Sequence, residues 1–255
     1  MNSLLVRPRL DIQNSVPLRP PGARPELAYL GLGAGAFVAG AMAVGGSGAL
    51  YRTSMALMGV IFCLALLYVR GLVRAADPGH VRVAEGSLRF VRPASVAILP
   101  AAMSAAGAAF GVISLFAPAW SGERFGLSGG AGPMALWAGV VGVASTVWLA
   151  MQLWALRLPT GLAVSAAGFD GVRGGADARV AWEMIDAVHA EPSGTGARLA
   201  ITVTGGSVLA LHAHEIGSDP NVVAAIIDHF LTHPEDREAL SNARQAIRLV
   251  EAALA

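Results

Sequence analysis

Long runs without charge constrain this chain most. Between Leu27 and Val69 the one acidic or basic side chain is Arg52, and the runs Val96–Pro118 and Met134–Leu156 contain none. A helix rises about 1.5 Å per residue, so roughly 20 apolar residues cross the ~30 Å hydrocarbon layer of a bilayer. The pattern predicts four membrane spans, at about 27–49, 53–69, 96–118 and 134–156. Composition agrees: 14% of residues are charged, against about 25% in soluble globular chains. A mean hydropathy of +0.58 points the same way.

The spans are informative through what they lack. Apart from the thiol of Cys63 and the tyrosines they hold no ionisable group, whereas proton relays and ion-coupled carriers need acids or bases within the membrane. A stand-alone transporter or intramembrane enzyme is therefore not expected. Gly31-Leu-Gly-Ala-Gly35 fits a loose dinucleotide-binding string, but the preceding strand and the ribose-binding acid that chemistry requires are missing. Small residues there, and throughout Ala101–Gly111, instead suit close helix packing in lipid. Tyr51 and Tyr68 suit interfacial positions, and of Trp137, Trp148 and Trp154 in the fourth span two lie near its ends, as an aromatic belt requires. Cys63 stands alone, so the chain cannot form an internal disulfide or a cysteine-based metal site.

All 18 basic residues are arginine, which with the abundance of Ala and Gly suggests a GC-rich bacterial source. Their distribution orients the chain. Residues 1–26 carry Arg7, Arg9, Arg19 and Arg24; the connection between spans two and three carries Arg70, Arg74, Arg82, Arg89 and Arg92; Arg157 follows span four. The other two connections hold only Arg52 and Arg124. Positive residues favour the cytoplasmic side, so a multi-pass protein of the bacterial inner membrane with both termini in the cytoplasm is predicted. Residues 1–26, rich in proline and arginine, read as a disordered arm and not as a secretory leader, because the apolar run begins too late. A net charge of +1 gives no reason to expect nucleic-acid binding.

Between spans two and three, residues 80–92 alternate apolar and polar side chains around Glu85-Gly86, a hairpin signature. Two strands alone are marginal in water, so this hairpin either frays or adds to another sheet. Beyond Pro159 the period changes again. Residues 162–166, 169–173, 178–182, 187–191, 199–204 and 208–212 read as strands, with Gly205-Gly206 as a tight turn. Ser218-Asp219-Pro220 then starts a helix. Its Val222, Val223, Ile226, Ile227, Phe230 and Leu231 form one apolar face, and His233-Pro234 ends it. Residues 234–255 read as a more polar helix that lies on the membrane surface or binds a partner.

Gly161-Leu-Ala-Val-Ser-Ala-Ala-Gly168, Arg179-Val-Ala-Trp-Glu-Met-Ile-Asp-Ala-Val188 and Asp219-Pro…His233-Pro-Glu-Asp-Arg237 resemble the pleckstrin-homology-like (PH-like) modules of bacterial membrane proteins over about residues 160–237. The resemblance implies a small bent β-sheet or barrel at 157–233 closed by a helix. It also implies a binding or scaffolding role with no fixed catalytic set. The fold class expected is thus an α+β membrane protein: a four-helix region over 27–156 plus a cytoplasmic PH-like domain.

Among candidate chemical groups, His212, His214, His229 and His233 stand at strand or helix spacing with Glu215 and Asp228 near in sequence. A strand end and a helix C-terminus accommodate histidine without a metal, and neither metal nor cofactor is expected. Trp182, Ile185 and Phe230 read as core. Arg70, Arg74, Arg89, Arg92 and Arg157 are the candidate contacts to anionic lipid, each gaining about 1 kcal/mol near a charged headgroup layer. No catalytic residue is assigned. The function expected is protein–protein interaction that scaffolds or regulates a membrane complex, with membrane lipid and other subunits as partners. The alternative is an accessory to lipid transport or a sensor of anionic lipid.

Overall fold

The computed structural model describes residues 3–10, 12, 15–19, 24–46, 48–75, 77–84, 87–121, 131–155, 161–173, 176–194 and 196–254. It divides into two compact units, one of Arg24–Gly71 and Ala94–Arg157, the other of Met1–Ala23, Leu72–Pro93 and Leu158–Ala255.

The first unit is helical: α1 (Pro25–Gly45), α2 (Ala49–Ala75), α3 (Ala94–Ser121) and α4 (Ala131–Ala155). Three stretches, Pro25–Gly45, Tyr51–Arg74 and Ala94–Ser114, are long and apolar enough to cross a membrane, while the apolar stretch described in α4 is the shorter Ala138–Trp154. Pro25 opens α1, where a missing N–H costs nothing. The helix stops at Gly45, short of the expected 49, because Gly46 turns extended and Gly48 takes a positive φ of 93°. Arg52 donates from Nε to the Ala43 carbonyl at 3.1 Å, so the lone charge satisfies an orphan acceptor at a helix end. Helix α2 runs on past the expected 69 and carries the exposed Arg70 and Arg74 on its last turns. Arginine favours helix, and a cation suits its C-terminus. Apolar character ends there; helicity does not. Pro100 lies in the second turn of α3, which begins at Ala94.

Helices α3 and α4 pack through their smallest residues. Gly107 faces Ser145, and Gly111 lies so close to Gly142 that an added Cβ would strike its Cα. Backbones approach this way only where side chains are absent.

The second unit is built from two antiparallel sheets. One has six strands in sequence order: β1 (Ser3–Val6), β2 (Val81–Ala84), β3 (Arg89–Phe90), β4 (Leu162–Ser165), β5 (Gly168–Arg173) and β6 (Ala176–Ala181). The other has three: β7 (Ile185–Ser193), β8 (Gly196–Val203) and β9 (Ser207–His212). A 3₁₀ turn at Trp182–Met184 carries the chain between the sheets. After β9 come α5 (Ala213–Ile216), α6 (Pro220–Thr232), a 3₁₀ run (Pro234–Ser241) and α7 (Ala243–Leu254).

The hairpin of residues 80–92 does not fray. It joins the C-terminal sheet, with Arg89 opposite Ala163 and Phe90 opposite Leu162. Residues 3–6 differ from the disordered arm expected over 1–26. They pair with β2 in register from Ser3 opposite Ala84 to Val6 opposite Val81, and Leu4, Val6, Leu10 and Ile12 pack on the core. A short apolar run finds an otherwise unpaired strand edge, and that outweighs the proline-rich composition behind it.

One core runs through the unit. Leu88, Phe90, Leu162, Leu199, Ile201, Ile226, Ile227 and Phe230 are fully buried, and Trp182 and Ile185 nearly so. Residues 234–255 differ from the single surface helix expected. The 3₁₀ run comes first, and α7 then turns Ala243, Ala246, Ile247 and Val250 inward. These four residues form a core face.

At the β3–β4 junction Gly161 adopts φ +98° with the Phe90 carbonyl where a Cβ would stand. Gly161→Ala is expected to cost about 1–3 kcal/mol through backbone strain and to lower the thermal unfolding midpoint in detergent. Gly194→Ala, where nothing lies within 4 Å of an added Cβ, should leave the midpoint unchanged.

Candidate functional site

The N-terminus of α6 is a joint between three stretches of chain. Asp219 caps the helix in the expected way, its Oδ1 accepting from the Asn221 N–H at 2.9 Å. Its other oxygen accepts from the Gly79 N–H at 2.8 Å, and the Asp219 N–H donates to the His80 carbonyl at 2.8 Å. The Ser218 hydroxyl accepts from the Arg82 N–H at 2.9 Å. Asn221 reaches the arm, its Oδ1 accepting from the Val16 N–H at 2.7 Å and its amide donating to the Val16 carbonyl at 3.0 Å. Ser218, Asp219 and Asn221 are all buried. Buried polar groups cost free energy unless hydrogen-bonded, and the partners named here satisfy them.

Beside this joint lies an open groove of about 290 Å³. Ile12 and Val16 of the arm, Val188, His189 and Ala190 of β7, and Asn221, Ala224, Ala225 and Asp228 of α6 form its walls. Small side chains of Ala190, Ala224 and Ala225 line it beside the polar Asn221, and His189 and Asp228 stand exposed at the rim.

Four of the six histidines fall into two stacked pairs. His212 and His214 have ring centroids 5.5 Å apart; His229 and His233 are 4.5 Å apart. Each pair has structural work. The His212 N–H donates to the Glu215 carboxylate at 2.7 Å in a capping box for α5. Buried His229 meets Asp236 at 2.9 Å, tying α6 to the 3₁₀ run. Among the described residues no group of three or more His, Cys, Asp or Glu side chains is placed to hold a metal ion.

Trp182 donates from its indole N–H to the Ser165 carbonyl at 2.9 Å and meets Phe169 edge to face at 4.8 Å. Arg237 lies over its ring at 4.5 Å and donates from Nε to the Phe230 carbonyl at 2.9 Å. A cation over an indole attracts it, by about 0.5–2 kcal/mol. Ile185 follows on β7, and Phe230 closes the core from α6. All three aromatic and aliphatic anchors are occupied by packing, not exposed as a platform.

Of the arginines read as lipid contacts, Arg70 and Arg74 are exposed, Arg89 and Arg92 are half-buried, and Arg157 lies outside the described residues. The Nε of Arg92 is buried without a hydrogen-bond partner among the described residues. The surface ion pairs Arg179–Asp170 and Arg198–Glu191 are of the kind that contributes little. Sequence reasoning missed the groove, because its arm-side wall is a segment whose composition reads as solvent-exposed. Compared with family models, curated proteins and solved structures, the chain matches none.

Burial holds the His214 imidazole below its ordinary value of 6.5; Glu215 pulls it upward, while Arg92 and His212 add to the depression. The folded protein therefore binds this proton less readily than the unfolded chain does. The associated stability is present above pH 6.5 and is lost as pH falls from there through the depressed folded-state value. Thermal midpoints measured between about pH 7.5 and 5.5, the range in which histidine changes charge, should fall more steeply for the wild type than for His214→Gln. Equal slopes would remove His214 as the cause.

Proposed function

We propose that this is a four-span membrane protein whose PH-like cytoplasmic domain binds another protein, scaffolding or regulating a larger membrane complex without enzymatic activity. One observation carries the reading. The six-stranded sheet takes β1 from the arm, β2 and β3 from the α2–α3 connection, and β4 to β6 from the chain after α4. Strands in one ladder lie about 4.8 Å apart and so belong to one side of a bilayer.

A chain that leaves that side through α3 must return before β4. Helix α4 supplies the return, although its described apolar stretch is short. By the same logic α1 and α2 cross as a pair. Arginine distribution then favours the cytoplasm of a bacterial inner membrane for the sheet and both termini.

The PH-like assignment draws support from β3 to β6 followed by β7 to β9, an antiparallel meander turned by Trp182–Met184, with α6 after it. With β3, from the hairpin of residues 80–92, this series has one strand more than the six read from the sequence beyond Pro159. Binding in place of catalysis fits polar clusters that are spent on caps and joints. The small-residue contact of α3 with α4 leaves large apolar side chains such as Val143 and Met151 outward, and Phe37 and Val44 of α1 are exposed too, suited to lipid or to neighbouring helices.

Arg70 and Arg74, exposed where the apolar stretch of α2 ends, favour a second reading as an accessory to lipid transport or a sensor of anionic lipid. Purification in mild detergent separates the two. The first reading expects stoichiometric co-purifying membrane subunits, and a protein that isolates alone and monomeric contradicts it. The second expects binding to phosphatidylglycerol liposomes that weakens roughly thirty-fold in Arg70→Gln/Arg74→Gln, at about 1 kcal/mol per arginine.

A further inference from the structure

We infer that the groove between β7 and α6 is a site for an extended peptide segment of a partner protein, lined in this chain by Ile12 and Val16 of its own arm. The proposal rests on the protein-binding reading above and names the chemistry of the partner.

Four features of the groove point there. Asn221, only 6% exposed, clamps both the N–H and the C=O of Val16. A side-chain amide that pairs with both groups of one residue treats it as a neighbouring strand would. It reads extended backbone and not side-chain identity, so it would hold any segment of that conformation. Next, β7 is the edge of its sheet: it pairs with β8 alone among the described residues. An open edge is a template for an added strand. Third, the resident segment does not fill its seat. With Ile12 and Val16 in place, about 290 Å³ of open groove remains. Ala190, Ala224 and Ala225 leave this room. Last, the rim carries the exposed carboxylate of Asp228.

These features together select the occupant. It is an extended stretch with a bulky aromatic or aliphatic residue for the floor and a basic residue beside it for Asp228. Such a segment exceeds the resident arm in buried apolar area, worth about 25 cal/mol per Å². The arm, tethered to the same chain, competes by effective concentration and not by fit. It acts as a built-in competitor that sets a threshold for partner binding.

The test uses the full-length chain in detergent and a labelled peptide copying residues 8–19 with Ile12→Phe and Gln13→Arg. Val16→Pro in the chain deletes the N–H held by Asn221 and loosens the resident arm. Fluorescence anisotropy should show the probe binding this variant at least about ten-fold tighter than wild type, as removal of an intramolecular competitor requires. Adding Asn221→Leu, or Ala225→Phe to fill the cavity, should each weaken the probe about ten-fold or more. Ala225→Phe leaves the α6 cap intact, so the test stands if Asn221→Leu misfolds, as judged by circular dichroism.

Binding that is equal across Val16→Pro with and without Ala225→Phe overturns the site, and so does absence of binding to every variant. An arm-exchanged dimer of Val16→Pro that the probe does not dissociate assigns the groove to a second copy and overturns the partner proposal. Co-purifying subunits that persist unchanged in Ala225→Phe would leave the protein-binding function standing while removing this groove from it.

Discussion

Two short strands carry the consequence of the whole architecture. Arg89–Phe90 pairs with Ala163–Leu162, yet α3 and α4 lie between them in sequence. The pairing is supported on every side. Phe90 and Leu162 are fully buried, the Val164 N–H donates to the Leu88 carbonyl at 2.8 Å, and the Leu88 N–H donates to the Leu240 carbonyl at 3.1 Å. Because a backbone ladder tolerates no register error where one face is buried, the two segments are held to a fixed alignment. On the proposed four-span reading, the helices between them return the chain to the side it left.

The Ser218–Asn221 joint reinforces that closure. Its cap on α6 would satisfy the helix alone, as many caps do, but its remaining acceptors and donors are used by Gly79, His80, Arg82 and Val16. One four-residue stretch thus binds the arm, the α2–α3 connection and the C-terminal region together. Removing Asp219 would strand several buried groups at once, each costing roughly 1–3 kcal/mol.

Much of this was legible in the residues. Uncharged runs locate the helices, alternation locates the strands, and Ser218-Asp219-Pro220 locates the start of α6. What was not legible shares one physical cause: long-range pairing. Ser3–Val6 is too short to outweigh its proline-rich setting until β2 offers it an edge. The helix ends near 45 and 75 depend on backbone conformation at Gly46 and Gly48 and on arginines that continue a helix after its apolar character ceases. The α7 stripe reads as amphipathic whether it faces a membrane, a partner or its own core, and only the packing of Ala246, Ile247 and Val250 decides. The groove is the extreme case. Ile12, Val188 and Ala225 share it although no spacing in the sequence relates them.

The proposed function sets the helices in a membrane and assigns partner binding to the sheet's edge and groove. Its central claim is topological. In a Cys63→Ala background, single cysteines at Ser87, Ser207 and Ser128 can be labelled by a membrane-impermeant thiol reagent applied to intact and to opened cells. Ser87 and Ser207 are exposed in the sheet unit; Ser128 belongs to the connection between α3 and α4. The account predicts that Ser87→Cys and Ser207→Cys label only after opening and that Ser128→Cys labels in intact cells. Labelling of Ser87→Cys and Ser207→Cys from opposite sides, or of Ser128→Cys from the same side as both, would contradict it.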